Sequence, residues 1–563
     1  MRHRYRLGSV CVSALMLLLG GCAIVSLVLG QERKEPRKVF EGNLVIEDTE
    51  DWTVLVEGQY QKVSGDLLIR NLEVSAFPGA AAIEVVTGDL LIENNRALTD
   101  LDGLPLLSTV RGDLLLIGND ALTALGGLAE LANVGGKLLV RNNESLTSLD
   151  GLSSLASVGG CLTIQGNASL SGLDDLSSLR VVGGNLEVAE NPLLSSLSGL
   201  IGLTEVRGDV LVNNNAALES LNGMSSLAHV AGSLAVEHNV ALESIEGFHS
   251  LREVENDLRL MHNRVLAGLN GLPSLTQVGG DLTISQNDGL ASLCGLPTLE
   301  RLGGDLTISH SRALQSVRGL SSLDEVGGNL TVLRNAVLEK VDGLSSLSGV
   351  KGDLTIRRNT ALESLDGLSS LVRVGKDLSI TRNSSLSSLE GLSSLAGLGG
   401  SLSIRFNDEL FSLDGLGMLT AIPGNLGIGS NSVLADLSGL SSLVYVGGNL
   451  RIVINNALPN VVGLSSLSLL GGYLYVWEND ILTSLEGLSA LREIGESLRV
   501  QDNPSLTSLG LASLNEVRGQ VMIRDNKALP QCLAWKLQDQ VAAGGGIRGN
   551  TYVSGNDTTA VCE

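Results

Sequence analysis

Side chains able to do chemistry stand in rows. Arg334, Arg358 and Arg382 recur every 24 residues, His310 precedes them at the same interval, and Arg357 and Arg405 sit one residue earlier in their own repeats. His238 and His262 open the same row. If successive repeats stack, these groups lie about 5 Å apart. Arginine forks match phosphate, sulfate and carboxylate groups, so the row predicts a site for an anionic ligand. The competing reading is a duplicated surface, copied with the repeat and selected for nothing. Tyr473, Tyr475 and Trp477 form a second group, alternating along one predicted strand and facing outward. They are three of only 14 aromatic residues (3 Trp, 6 Tyr, 5 Phe), a concentration suited to stacking on a sugar or anchoring a protein partner. The alternative is cover beneath the stems of Arg451 and Arg499.

No catalytic constellation is legible, and no cofactor is expected. The six histidines include no H-E-x-x-H pair, and the paired glycines read as turns, not phosphate loops. Two acidic rows, Asp281, Asp305, Asp353, Asp377 and Asp342, Asp366, Glu390, Asp414, would bring carboxylates together as a calcium site does. Solvated or turn-capping acids are the simpler reading, and no metal is expected. A polysaccharide-cleaving β-helix needs an acid, a base and charge-stabilising groups converging in a groove, usually with irregular loops. This sequence is too regular for those loops, so a non-enzymatic protein is expected. A hydroxyl row, Thr283, Thr307, Thr331, Thr355, Ser379 and Ser403, would suit an ice-binding face only with a second matching row, and the neighbouring row breaks at Leu333 and Arg357. Ordinary strand propensity accounts for it. Leu68, Leu91, Leu115 and Leu139 make an outward aliphatic stripe, predicted to meet the N-terminal segment or a partner. A net charge of -23, from 38 basic and 61 acidic residues, disfavours a general nucleic-acid binder.

What positions these rows is the repeat itself. Counting from the glycine before each strand (Gly88, Gly112, Gly136, Gly160), the sequence keeps a 24-residue period through seventeen intervals to Glu496. Turns at Gly42, Gly65 and Gly519 extend it at 23-residue spacing, making about twenty-one turns in 563 residues. Offsets +2 and +4 are aliphatic, as in Leu282 and Ile284, which predicts a strand with one buried face. Offsets +10, +13, +16, +19 and +22 are mostly aliphatic too, as in Leu146, Leu149, Leu152, Leu155 and Val158. Period three over that length predicts a chain turning corners around a core. Glycine at +15 (Gly151, Gly367) is read as freeing a bend. Offset +7 is Asn from Asn95 to Asn526 except at Ser311, and an inward amide bonding to turn backbone explains it. No single turn buries its own leucines, but stacked turns do, so an all-β solenoid of parallel strands is expected.

The unit G-[DN]-L-x-[IV]-x-x-N-x-x-L-x-x-L-x-G-L-x-x-L-x-x-V, over roughly residues 42 to 526, resembles the receptor L-domain. That family is a leucine-rich, right-handed parallel β-helix of insulin- and epidermal-growth-factor-receptor ectodomains. Similar repeats occur in fungal sporulation-type cell-wall proteins and bacterial surface proteins. The resemblance implies the architecture. Receptor L-domains are much shorter, are flanked by cysteine-rich modules and precede a kinase, so no growth-factor contact carries over to a position here.

The ends complete the domain plan. Residues 1-30 read as an export segment, with Arg2, Arg4 and Arg6 before an uncharged stretch from Leu7 to Gly30. Leu19-Gly20-Gly21-Cys22 resembles a bacterial lipoprotein box, which would lipidate Cys22. An uncleaved membrane anchor and cleavage after Gly30 are the alternatives, and all three export the rest of the chain. A cell-envelope location follows, as an outer-membrane or surface lipoprotein. Residues 31-64, with Trp52, are expected to cap one end of the 65-526 solenoid, and 527-563 the other. The latter contains a short helix from Pro530 to Ala543, with Leu533, Trp535, Leu537 and Val541 as its apolar positions and Gly544-Gly545-Gly546 ending it. A Cys532–Cys562 disulfide would close that cap, whereas Cys161 and Cys294 lie too far apart to pair. The function read from all this is recognition or adhesion, binding an anionic glycan or protein partner. An envelope spacer without a ligand is the alternative, and a polysaccharide-acting enzyme comes third.

Overall fold

The computed structural model describes residues 37–560, and Lys38–Glu563 forms one compact unit. Each turn carries a four-residue strand at offsets +2 to +5, such as Leu282–Ser285 and Leu306–Ser309, paired parallel and in register with the turns on either side. This ladder runs from Leu44–Ile46 to Thr551–Ser554. A second ladder uses two-residue strands near the end of each turn, such as Gln277–Val278 against Arg301–Leu302. It is interrupted once, between Gly397–Leu398 and Ala421–Ile422. The next residue, Pro423, explains the gap. At this position Gly399 donates its N–H to Val374 and Gly447 donates to Ile422, and proline has no N–H to give.

The aliphatic columns fill the interior. Leu146, Leu149, Leu152, Leu155 and Val158 are fully buried, as are the strand pair Leu282 and Ile284. The Asn column is buried from Asn95 to Asn526 and forms a continuous ladder broken at Ser311. In a typical rung, Asn383 Nδ2 donates to Ile356 O (3.0 Å) and Asn407 Oδ1 (3.3 Å), while its Oδ1 accepts the Asn359 N–H (3.1 Å). A second ladder runs along the outer edge at +1, where Asp305 N–H donates to Asp281 Oδ1 and Asn329 N–H to Asp305 Oδ1, each at 2.7 Å. These acids cap turns, as the simpler reading of the sequence had it.

Glycine at +15 frees the bend where its φ is positive, as expected at Gly151, and serves a second purpose as well. A side chain at Gly367 would collide with the Val341 carbonyl oxygen of the preceding turn, so close approach sets the residue there. Gly151 also carries a positive φ, 110°. Left-handed backbone is instead systematic one residue before the Asn column. Asn142, His262, Arg334, Phe406 and even Ile454 share φ between 55° and 59°. That twist turns the following Asn inward.

A helix is built into each end. Helix α1, Thr49–Gly58, is capped by the Asp48 side chain, and its buried Trp52 stacks on Phe77 at 4.0 Å and donates to Gly79 O at 3.0 Å. Helix α2 spans Gln531–Ala543, close to expectation. Its buried face is Ala534, Leu537 and Val541, with Leu533 partly buried. Trp535 points away from that face and is 51% exposed, which corrects its expected place among the apolar contacts. The C-terminal segment also does more than cover an open end. After α2 the chain re-enters the solenoid: Gly546–Ile547 pairs with Glu516–Val517, and Asn556 continues the Asn ladder by accepting from Asn526. Cys22 and Cys562 lie outside the described residues. Cys161 and Cys294 are free thiols, as expected.

Candidate functional site

The arginine row is set by the left-handed column. Arg334, Arg358 and Arg382 have φ of 56°, 58° and 61°. Their N–H groups donate across to the next turn, to the carbonyls of Arg357 (3.0 Å), Thr381 (3.1 Å) and Arg405 (2.9 Å). Backbone geometry therefore repeats from turn to turn, and the three side chains leave at equivalent points. Arg334, Arg357 and Arg382 are exposed and Arg358 is half-buried. Arg334 Nη1 lies 3.3 Å from His310 Nε2, and Arg382 lies over the Phe406 ring at 4.5 Å. His238 and His262 stack at 4.1 Å at the other end of the row. Between the two ends, His262, His310, Arg264 and Arg334 line a depression of about 390 Å³, together with the Arg312–Asp288 ion pair.

Several arginines elsewhere find carboxylates, such as Arg318 with Asp342, Arg70 with Glu47 and Arg518 with Glu493. Among the described residues Arg334, Arg357, Arg358, Arg382 and Arg405 have no ion pair. Repulsion is the consequence. Arg334 above all, then partial burial, Arg357 and Arg382, hold the Arg358 guanidinium below its usual range. An anion laid along the row would relieve that repulsion and accept several charge-assisted bonds.

The structure separates Arg405 from the row. Its side chain folds over Gly427 of the following turn, is half-buried, and faces Arg451 instead of Arg382. The aromatic group lies on the same sheet face. Tyr475 and Trp477 are parallel to within 7° with ring centres 6.1 Å apart, and Arg451 sits over Tyr473 at 5.0 Å. Their tips are tied: Trp477 Nε1 donates to Asp502 Oδ2 (3.1 Å) and Tyr475 OH accepts from Gln501 (3.2 Å). All three are half-buried, so the predicted outward direction holds together with partial cover by Arg451. The leucine stripe is also half-buried, and Val45, unnoticed in the sequence, extends it in register with Leu68. The left-handed column was missed as well. Its signal was the abundance of Asn, Gly, His and Asp at one offset, the residues that tolerate this backbone.

No protein-family description matches the sequence, and no curated protein matches it. Among solved structures, a crystal structure of a TLR13–ssRNA13 complex is 13% identical over 90% of each chain, with a TM-score of 0.21. At that score the likeness carries no argument about site or ligand. What the coordinates themselves establish is a leucine-rich parallel β-solenoid of 24-residue repeats.

Proposed function

We propose that this chain is a non-enzymatic recognition solenoid whose arginine row binds an anionic glycan. The observation that carries the reading is a row of arginines without carboxylate partners on a chain of net charge -23. Acidic side chains abound, yet among the described residues none pairs with Arg334, Arg358 or Arg382. We extend the proposal to a receptor L-domain-like, right-handed β-helix, carried by the columns of the repeat. Export and lipidation at Cys22 would place it on the cell envelope, with Leu19-Gly20-Gly21-Cys22 as the supporting motif. Cys532 is proposed to pair with Cys562 and tie the last turn to α2, as export would permit.

The test is an array of uronate-bearing, sulfated, phosphorylated and neutral glycans probed with the full-length protein and with the R334Q/R358Q/R382Q variant. Acidic glycans should be retained by the wild type and lost by the variant, whose fold is unchanged because these side chains lie outside the core. A blank array with an envelope defect on deletion supports the spacer instead. Cleavage of a polysaccharide supports the enzyme.

A further inference from the structure

The two outward positions of the strand Leu426–Gly429 are both glycine. At Gly427 the six preceding turns carry Thr283, Thr307, Thr331, Thr355, Ser379 and Ser403. The Arg405 guanidinium takes the space over Gly427, and beside it lies a notch of about 230 Å³ in the sheet face, lined by Ser401, Ser403, Arg405, Gly427, Asn449 and Arg451. Arg405 and Arg451 come from the turns on either side of Gly427.

The lining offers donors and no carboxylate. Arg405 Nε is the one buried side-chain nitrogen or oxygen among the described residues with no hydrogen-bond partner. Leaving such a group unsatisfied is costly, and a shift of the Arg405 side chain that meets an acceptor removes the cost. Among the described residues the Ser403 hydroxyl and the Asn449 amide nitrogen donate to nothing, and neither arginine has an ion pair. Asn449 Oδ1 is already taken by the Tyr473 N–H at 3.0 Å, which leaves the amide its donor end. Burial first, and Arg451 second, hold the Arg405 guanidinium below its usual range. A surface arginine laid over glycine only for packing would keep its nitrogens in water. This one buries Nε against Gly427.

We propose that the Gly427 notch is a built subsite for one oxyanion of an acidic sugar, held between Arg405 and Arg451. The sugar assignment comes from the neighbours. Tyr475 is in register with Arg451, and Arg451 with Gly427, so the Tyr475–Trp477 ring pair begins two strand spacings, about 10 Å, from the notch. Their tied tips hold the rings ready for an apolar sugar face, which lowers the entropic cost of binding. The subsite rests on the acidic-glycan reading and sharpens it from a charged row to a pocket with one anion and one stacking surface.

The test uses calorimetry of the full-length protein with a galacturonic acid trisaccharide, its methyl ester and inorganic sulfate. The acid trisaccharide should bind at least tenfold more tightly than the uncharged ester and than sulfate. Gly427→Thr restores the residue type of the neighbouring turns. Its side chain would displace the flexible Arg405 guanidinium, not backbone, so the fold survives while trisaccharide affinity falls at least tenfold. Arg451→Gln, on an exposed side chain, should do the same. Equal binding of acid and ester, no binding by either, or unchanged affinity in both G427T and R451Q overturns the subsite. Sulfate binding as tightly as the trisaccharide overturns the sugar assignment. Loss of polymer binding in the triple variant alongside failure of the trisaccharide leaves the row standing and removes the notch.

Discussion

Replacing one rung of the Asn ladder measures what it contributes. In Asn383→Ala the Asn359 N–H loses its acceptor, now at 3.1 Å, and Ile356 O loses a donor at 3.0 Å. Asn407 Oδ1 keeps the Asn383 backbone N–H at 3.1 Å, and Asn359 Nδ2 loses a 3.4 Å contact but keeps Val332 O at 2.9 Å, so the orphaned backbone N–H dominates. Such a group costs about 1–3 kcal/mol. The Ser311 turn already contains the reverse experiment. Asn263 N–H donates to Asn287 Oδ1 at 3.0 Å, but Asn287 N–H has no side-chain acceptor across at Ser311 among the described residues. Ser311→Asn restores that acceptor and should stabilise by about 1–2 kcal/mol. Because solenoid turns open locally, the assay is amide hydrogen exchange read with urea unfolding. The Asn359 amide should exchange about tenfold to a hundredfold faster in Asn383→Ala, and the Asn287 amide should slow in Ser311→Asn. An Asn359 amide protected as before, or a Ser311→Asn variant less stable than wild type, refutes the ladder as a source of stability.

Three further outcomes are expected. Ile454 is β-branched in left-handed backbone, φ 55°, so Ile454→Asn should raise the urea stability by about 1 kcal/mol. Burial first, then the adjacent His238, hold His262 below the ordinary imidazole range. The unfolded chain thus takes up a proton that the folded one resists. Stability is full above about pH 6.5 and falls as pH drops from there toward the folded value. His262→Gln should flatten that decline in pH-dependent unfolding. Radioactive fatty acid should label the protein through Cys22, with Cys22→Ala unlabelled; an intact apolar segment in the mature chain would favour the anchor.

The columns were legible because twenty-fold repetition makes each offset its own control. Leucines at +10 to +19 and inward asparagines admit one packing solution, and the structure adopts it. The left-handed column was less legible. Its residue types run from Asn142 to Arg358 to Ile454, and neighbouring hydrogen bonds impose the twist whatever the side chain. Arg405 shows the other limit. By offset it is equivalent to Arg357, yet it departs because the next turn has Gly427 and Gly429 where the turn after Arg357 has Ser379 and Thr381. A property that depends on a neighbour one turn away does not show in a single column. Trp535 was misplaced for a simpler reason, since one short helix carries no repetition to set its face.

The central claim is that the arginine row binds an anionic polymer, and the salt dependence of polygalacturonate binding tests it most directly. Wild-type affinity should fall steeply from low to near-physiological salt as bound counterions are exchanged. R334Q/R358Q/R382Q should bind more weakly, with a slope shallower by roughly two to three units, one for each lost contact. No binding at low salt, or the same affinity and slope in the triple variant, would contradict the account.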